Sequence, residues 1–303
     1  MMDNRRIADM PEDDTSEYIT DGRENPAIDF GGLFSGEFVN IELLYRSEHG
    51  PAELWKATRY GRQYVLKGLK AIHREDPIYN LRLAKEFEIG MMLDHPNIRG
   101  TLGMETVEGP GRVIVLEYVD GVGLDTLISD GRLSKEEARE VAIQIASALN
   151  YVHRKQILHR DLKPANILVS HNGNHVKLID FNLADGDEFI VLKNPAGSRG
   201  YTAPELIEKK TKPSVLSDIY SFGKILEALA AATDDELLRE SGEECCNSDP
   251  SKRPQSVARI PLPASNPGFK DKIKLALSSK KLTYVLLGIC LSLAGAILYE
   301  FIK

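Results

Sequence analysis

Cysteine is scarce in this 303-residue sequence, which contains only Cys245, Cys246 and Cys290. Three cysteines at this spacing match neither a disulfide framework nor a metal-ligand pattern. The sequence therefore offers no disulfide scaffold and no cysteine-based metal site. We interpret the adjacent pair, Cys245 and Cys246, as two small apolar side chains packed in a reducing cytosol.

An excess of positive charge is also missing, because 38 Lys and Arg residues stand against 45 Asp and Glu residues. The formal net charge of −7 removes a whole-chain case for nucleic-acid binding, so no nucleic acid is expected as a partner. No N-terminal signal peptide is visible. Residues 1–36 are polar and acidic, and we predict that they form a disordered tail.

Charged residues are absent from Leu282 to Tyr299. A helix of this length would span ~27 Å, close to the hydrocarbon thickness of a bilayer. Lysines crowd its N-terminal side between Lys270 and Lys281, which indicates that this side is cytoplasmic. We predict a transmembrane helix at 282–302 that holds the chain in a lipid bilayer as a single-pass tail anchor, with the preceding domain facing the cytoplasm. The alternative is a buried core helix.

Period-two alternation marks FVNIELLYRS and AELWKATRYGRQYVLKGLK as antiparallel strands, with Tyr60-Gly61 as the turn. The segment NLRLAKEFEIGMMLDHPNI is a helix that ends before Pro96 and carries Leu83, Phe87 and Met91 on one face. The run GRVIVLEYV is a buried strand, and DGVGL after it is a candidate linker between lobes.

The longest soluble helix, LSKEEAREVAIQIASALNYVHRKQ, begins with a capping box of Ser134 and Glu137. NILVS and HVKLIDF are short strands joined by a turn that contains Asn172-Gly173. Because strands come first and helices later, we predict an α+β protein of two lobes. The predicted segments are an antiparallel-sheet N-lobe at 37–119, a mainly helical C-lobe at 120–258 and a Pro- and Lys-rich linker at 259–281.

Two short motifs carry most of the chemistry. HRDLKPAN at 159–166 places Asp161, Lys163 and Asn166 in one loop, and DFN at 180–182 places Asp180 after an apolar strand. Two acids and an amide at this spacing can hold metal ions and a phosphate. Purely structural roles remain as alternatives, with Asp161 as a turn residue and Asn166 as a capping residue.

These motifs belong to an ordered series that runs VLK, E, HPNI, HRDLKPAN, DF, APE, SDIYSFG and RP. Over about residues 37–258 the chain resembles the eukaryotic-type Ser/Thr protein kinase family. The resemblance implies a two-lobed protein-kinase-like fold, ATP and Mg²⁺ as cofactors, and a protein substrate.

The resemblance also assigns roles. Lys67 would contact the ATP phosphates and pair with Glu86. Lys70 is the local alternative to Lys67, and Glu88 is the local alternative to Glu86. Asp161 would orient the acceptor hydroxyl and take its proton, and Lys163 would steady the γ-phosphate. The implied Mg²⁺ ligands are Asn166 and Asp180.

Other residues resemble structural parts of the family pattern. Glu205 would pair with Arg253, and Asp218 would accept backbone donors of the catalytic loop. Ser198 would help to shape the acceptor site. We interpret His159 as a packed, hydrogen-bonded histidine rather than a base.

The nucleotide pocket implied by the resemblance is bounded by Leu116, with backbone hydrogen bonds from Glu117 and Val119. Leu54 and Val65 are assigned to the same pocket. The phosphate-covering loop departs from the family pattern, because its three glycine places hold Ser47, His49 and Ala52 and only Gly50 remains. Glycine lets a backbone approach phosphate closely, so we expect weaker nucleotide binding.

Three further departures bear on activity. Asn182 stands where the family has glycine, and Asn tolerates a left-handed backbone. No hydroxyl residue lies between Leu183 and Gly197, so we expect that Asp185, Asp187 and Glu188 supply permanent negative charge opposite Arg160. Only 29 residues separate Gly223 from Arg253, which leaves room for one or two short helices.

The leading hypothesis is a membrane-anchored Ser/Thr protein kinase. The first alternative is a catalytically inactive kinase fold that serves as a scaffold or a nucleotide-gated binding module. A third hypothesis, a kinase of a small molecule or lipid head group, is disfavoured by Lys163, which is typical of family members with protein substrates.

Overall fold

The N-terminal half forms a five-stranded antiparallel sheet with strand order β1-β2-β3-β5-β4. A computed structural model describes residues 36–48, 50–181, 200–208 and 211–263 of the chain. The strands are β1 Val39–Arg46, β2 Ala52–Arg59, β3 Arg62–Leu69, β4 Thr101–Val107 and β5 Gly111–Glu117.

The turn between β2 and β3 fixes the register of the sheet. Tyr60 and Gly61 both adopt a positive φ, as the favoured two-residue hairpin turn requires, and Arg59 pairs with Arg62 across it. This register places Leu54 opposite Lys67. The turn predicted from the sequence is confirmed.

Helix α1, Pro77–Met91, packs between the sheet and the helical lobe. Its N-cap is Asp76, whose side chain accepts a hydrogen bond from the Ile78 backbone N–H at 2.8 Å. The predicted apolar face was partly wrong, because Met91 is 53% exposed and Ile89 is buried instead. The last turn of α1 faces the helical lobe, and Ile89 joins the core of that lobe.

The segment predicted as a linker forms a strand. Strand β6, Gly121–Gly123, pairs antiparallel with β7, Ile167–Ser170, which pairs in turn with β8, Val176–Leu178. A Cβ atom on Gly121 would lie 2.4 Å from the Val169 carbonyl oxygen, so glycine permits this close pairing. The predicted β7–β8 hairpin is confirmed, with Gly173 at φ +84° in its turn.

The C-terminal half is mainly helical, as predicted. Helix α3 has the predicted capping box of Ser134 and Glu137, and the apolar faces of α3 and α5 form the main core. The helices are α2 Leu124–Ser129, α3 Lys135–Arg154, α4 Pro204–Ile207, α5 Val215–Thr233 and α6 Glu236–Cys245, and short 3₁₀ turns lie at Ala71–His73, Pro164–Asn166, Pro250–Lys252 and Val257–Arg259.

Helices α5 and α6 cross through two glycines. A Cβ on Gly223 would lie 2.5 Å from the Cys245 Cβ, and a Cβ on Gly242 would lie 3.1 Å from the Gly223 carbonyl oxygen. The short interval before Arg253 therefore holds one ten-residue helix, packed directly on α5. The buried thiol of Cys245 packs as an apolar group, as predicted.

Several predictions fall outside the described residues. These are most of the acidic tail at 1–36, most of the linker at 259–281 and the whole membrane segment at 282–302. Within the described ranges, no helix combines the length and the hydropathy that crossing a bilayer requires.

We predict that Gly223→Ala destabilises the domain by about 1–2 kcal/mol. Overpacking a tight contact costs roughly 1–3 kcal/mol, and the better helix propensity of alanine returns at most about 1 kcal/mol. Urea unfolding followed by circular dichroism measures the change. The control is Gly103→Ala, whose new methyl has 3.9 Å to its nearest neighbour. Equal stability of both variants would contradict the prediction that the close contact at Gly223 has no room for a methyl group.

Candidate active site

Lys67 lies at the centre of an ionic cluster that joins three parts of the fold. Its Nζ is 2.5 Å from Glu86 Oε1 on α1 and 3.0 Å from Asp180 Oδ1, two residues after β8. The Lys67 side chain is only 6% exposed. The competitors are placed elsewhere, since Glu88 is exposed and Lys70 lies beyond the end of β3.

Charge is unevenly distributed in this cluster, because one ammonium faces two carboxylates. Burial disfavours the charged form of Lys67, but the attraction of Asp180 and Glu86 outweighs it and raises the pKa of Lys67. Burial raises the pKa of Glu86, and Lys67 opposes that effect. Lys67 therefore stays protonated and ready to meet an anion.

Arg99 supplies a second cation near Glu86 and Asp180. It lines a small cavity together with Glu86 and Asp180. Its backbone N–H donates to the Leu178 carbonyl at 2.9 Å, which fixes it beside β8. Burial lowers the pKa of Arg99, while Glu86, Asp180 and Glu117 oppose this. Arg99 was not predicted as a site residue, because a single arginine between Ile98 and Gly100 does not indicate which distant residues it will contact.

The predicted catalytic residues share one loop. Lys163 Nζ lies 2.9 Å from Asp161 Oδ2, and Asn166 Nδ2 donates to the Asp161 backbone carbonyl at 2.7 Å and to Oδ2 at 3.1 Å. The Asp161 carboxylate is thus held by its own loop, with a side chain only 8% exposed.

Asp218 anchors this loop from α5, as predicted. Its carboxylate accepts the backbone N–H groups of His159 at 2.8 Å and Arg160 at 2.9 Å, and it lies 2.9 Å from His153 Nε2. The bonds hold Arg160 at φ +63°, a strained conformation for a non-glycine residue. His159 is fully buried with its ring 4.9 Å from that of Phe181, which confirms the packing part of its prediction, while the hydrogen bond of its ring stays a prediction.

The two candidate Mg²⁺ ligands lie on adjacent chain segments. The Ile179 N–H donates to the Asn166 carbonyl at 3.0 Å, which places Asp180 next to Asn166. Because the Asn166 amide nitrogen is engaged with Asp161, its side-chain oxygen is left as the ligand atom. A carboxylate and an amide oxygen are donors that Mg²⁺ prefers, so these residues fit the ion.

The apolar residues assigned to the nucleotide pocket lie together on the sheet. Val65 pairs with Leu116 across β3 and β5, and both pack in one apolar cluster with Leu54. The Glu117 backbone N–H donates to the Gly100 carbonyl at 2.9 Å. Only its carbonyl could serve a nucleotide. Val119 follows β5 and is half-buried.

The Glu117 side chain connects the two lobes. It accepts the Gly100 N–H at 2.9 Å and lies 2.8 Å from Lys177 Nζ on β8. This contact ties the end of β5 to the smaller sheet. No local sequence pattern predicts this contact.

The loop between β1 and β2 is closed by its own hydrogen bonds. The Ser47 N–H donates to the Ala52 carbonyl at 3.1 Å, and the Gly50 N–H donates to Ser47 Oγ at 2.8 Å. His49, which was predicted together with Ser47 and Ala52, lies outside the described residues.

The segment after Phe181 also lies outside the described residues, up to 199. The predictions for Asn182, Ser198 and the acidic residues Asp185, Asp187 and Glu188 therefore stay predictions. Within the described part of the chain, Arg160 Nε and Nη1 are buried and have no hydrogen-bond partner.

The predicted pair of Glu205 and Arg253 is present and bidentate. Arg253 Nη1 and Nη2 each donate to a Glu205 carboxylate oxygen at 2.8 Å. Arg253 also donates to the Leu216 carbonyl, so the pair links α4 to α5. Burial would raise the pKa of Glu205, but the Arg253 hydrogen bonds outweigh this and lower it.

Comparisons with known proteins agree with this geometry. Residues 48–243 match the family model described as the protein kinase domain. Serine/threonine-protein kinase PknB of Mycolicibacterium smegmatis is 37% identical over 194 residues, which cover 61% of this chain and 31% of that protein. The SNF1-related protein kinase catalytic subunit alpha KIN12 of Arabidopsis thaliana is 37% identical over 188 residues, covering 59% and 36%.

Among solved structures, the fold resembles the crystal structure of the PknI kinase domain of Mycobacterium tuberculosis. The TM-score is 0.55 at 23% identity, and the match covers 75% of this chain and 96% of that one. This likeness supports the fold alone. The chain spans about a third of the length of the curated relatives that it matches.

We predict that Glu205→Gln lowers the free energy of unfolding at neutral pH by roughly 3 kcal/mol, because it leaves the buried Arg253 without a charged partner. Since the pKa of Glu205 is lowered, its ionic contribution is present above the ordinary value of 4.5 and is lost as the pH falls through the lowered value. The difference between variant and parent should therefore shrink below about pH 4.5.

Denaturant unfolding tests this prediction from about pH 8, where carboxyl groups are ionised, down to about pH 3, below the ordinary carboxyl pKa. Glu240→Gln, at an exposed position on α6, is the control. A pH-independent difference would show that the ionic pair does not stabilise the fold.

Proposed function

Because the chain belongs to the protein kinase domain family, we propose that it is a Ser/Thr protein kinase that transfers the γ-phosphate of ATP to protein hydroxyls. One observation carries the proposal. The buried Lys67 contacts both Glu86 and the partly exposed Asp180, while Asp161 and Asn166 are held together in the adjacent loop. The names of the relatives support the Ser/Thr class.

Each residue then has a task in the transfer. Lys67 presents its charge to the ATP phosphates, and Glu86 holds Lys67 in place. Asn166 and Asp180 would hold Mg²⁺, which when bound supplies charge neutralisation for the phosphates. The acceptor hydroxyl oxygen forms a bond to the γ-phosphorus, the bond from that phosphorus to the ADP oxygen breaks, and Asp161 accepts the hydroxyl proton.

Lys163 is placed to act on the transferred group. Its ammonium lies beside the Asp161 carboxylate, 2.9 Å away, so it can contact a phosphoryl oxygen while Asp161 contacts the acceptor. A compact ammonium suits this task because it is a point charge with three donors. The transfer therefore depends on positioning and charge, with little covalent chemistry from the protein.

A second candidate function, a binding module with little or no catalysis, is favoured by one observation. The loop that should cover the phosphates is closed on itself through Ser47. A protein of this kind would bind nucleotide weakly and transmit its presence to a partner.

We predict that the full-length chain in detergent, given Mg²⁺ and γ-labelled ATP, transfers label to a generic protein substrate. Asp161→Ala and Asp180→Ala should each lower the rate by about 10²–10⁴-fold, since a proton acceptor or the metal-held charge is lost. Glu86→Gln should weaken transfer, and Glu88→Gln on the exposed side of the same helix should not.

Nucleotide binding is measured in parallel by fluorescence of a labelled ADP. Binding by the parent without label transfer would favour the binding module. Transfer that survives both alanine substitutions would refute the assigned roles.

We also propose that residues 282–302 anchor the protein in a membrane with the kinase domain on the cytoplasmic side. The support is the uncharged run and the lysines before it. Such an anchor would confine the kinase to substrates near the bilayer surface.

The anchor proposal predicts that the full-length chain floats with lipid vesicles in a density gradient. Leu291→Arg, at the middle of the run, should reduce flotation, because an arginine there costs about 2.5–3.5 kcal/mol of insertion free energy. Leu282→Arg at the edge should have little effect, since its side chain can reach the interface. Equal flotation of both variants would argue against a spanning helix.

A further inference from the structure

Two backbone N–H groups of the β1–β2 loop, those of Ser47 and Gly50, are already hydrogen-bonded within the loop and its flank. Backbone N–H groups are what such a loop offers to a phosphate. Here the Gly50 N–H donates to Ser47 Oγ and the Ser47 N–H donates to the Ala52 carbonyl. Pro51 has no N–H at all.

The one remaining glycine of the loop is explained by Ser47. A Cβ on Gly50 would lie 2.7 Å from Ser47 Oγ, closer than two such atoms can approach. The absence of a Cβ on Gly50 thus leaves room for the Ser47 hydroxyl to accept the hydrogen bond from the Gly50 N–H. The glycine is retained for a contact inside the loop.

Both ends of the loop are also fixed. The Lys70 N–H donates to the Pro51 carbonyl at 2.7 Å, and Arg46 Nε lies 2.6 Å from the buried Glu53 carboxylate. The Arg46–Glu53 contact joins β1 to β2, and the Lys70 contact holds the end of the loop to the residue after β3. The Ser47 hydroxyl is the part that a phosphate would have to displace.

We propose that the Ser47 hydroxyl is an internal ligand of the Gly50 amide that competes with the nucleotide phosphates and sets a low nucleotide affinity. The inference rests on the proposed function of this site. It makes Ser47 a positioning residue, because it acts through the backbone of Gly50. Nucleotide binding then depends mainly on Lys67 and on the metal held by Asn166 and Asp180.

The competition has a definite sign. Removing the hydroxyl frees the Gly50 N–H for a phosphate oxygen, so Ser47→Ala should bind MgADP about three- to tenfold more tightly, as expected for one net hydrogen bond. Ser47→Thr keeps a hydroxyl and should bind like the parent. If Ser47 only keeps the loop in shape, Ser47→Ala should bind more weakly.

Calorimetry with the full-length chain in detergent measures the affinity for MgADP and for adenosine, which lacks phosphates. The gain should appear with MgADP and be absent with adenosine. In activity assays KM for ATP should fall by the same factor while kcat is unchanged, because the effect is on binding. Ser129→Ala, at an exposed serine on α2, is the control.

Unchanged or weaker MgADP binding by Ser47→Ala overturns the proposal, as does an equal gain with adenosine or a lack of MgADP binding by the parent and every variant. The experiments distinguish failure of this proposal from failure of the proposed kinase function. A chain that binds MgADP more tightly as Ser47→Ala but transfers no phosphate supports the role of Ser47 and refutes only the catalytic activity.

Discussion

The buried ammonium of Lys67 is the interaction on which the site depends. It is the contact at which β3, α1 and the segment after β8 meet, and its two partners lie at 2.5 and 3.0 Å. Removing one partner of a buried ion pair typically costs about 3–5 kcal/mol, so the buried Lys67–Glu86 pair strongly favours this position of α1. Arg99 adds positive charge beside Glu86 and Asp180 in the same cavity, which reduces their mutual repulsion. The cluster therefore fixes the position of α1 against the sheet and of Asp180 against the cleft.

The second constraint comes from inside the helical lobe. Asp218 is almost fully buried and holds the catalytic loop by two backbone N–H groups. Positive φ angles at Arg160 and Asp180 are energetically unfavourable and persist because the surrounding contacts determine them. The consequence is a loop whose functional side chains are oriented before any ligand arrives. Such preorganisation suits a reaction that relies on charge and positioning.

Local patterns in the sequence predicted much of this arrangement. The Tyr60-Gly61 turn and the capping box at Ser134 are short-range features, and both were found. The pairing of Glu205 with Arg253 came from the family resemblance, and it too is present.

What the sequence could not give depends on contacts between distant segments. Ile89 replaced Met91 in the core because of the way α1 meets the helical lobe. Gly121–Gly123 became a strand because β7 offered a free edge. The bonds of Glu117 to Gly100 and Lys177, and the place of Arg99, arise only when the lobes pack together.

At two places where the chain departs from the family pattern, contacts within the domain close the structure. The shortened interval before Arg253 is closed by the Gly223–Gly242 crossing, which brings α6 onto α5 without an intervening element. Asp235 completes that closure, because it caps α6 through the Leu237 N–H and binds Arg139 of α3 at 2.6 Å. The β1–β2 loop does the same with its own hydroxyl. A backbone N–H that is already hydrogen-bonded gains less from a ligand. The bond between the Gly50 N–H and the Ser47 hydroxyl therefore stabilises the unliganded domain and lowers its affinity for nucleotide.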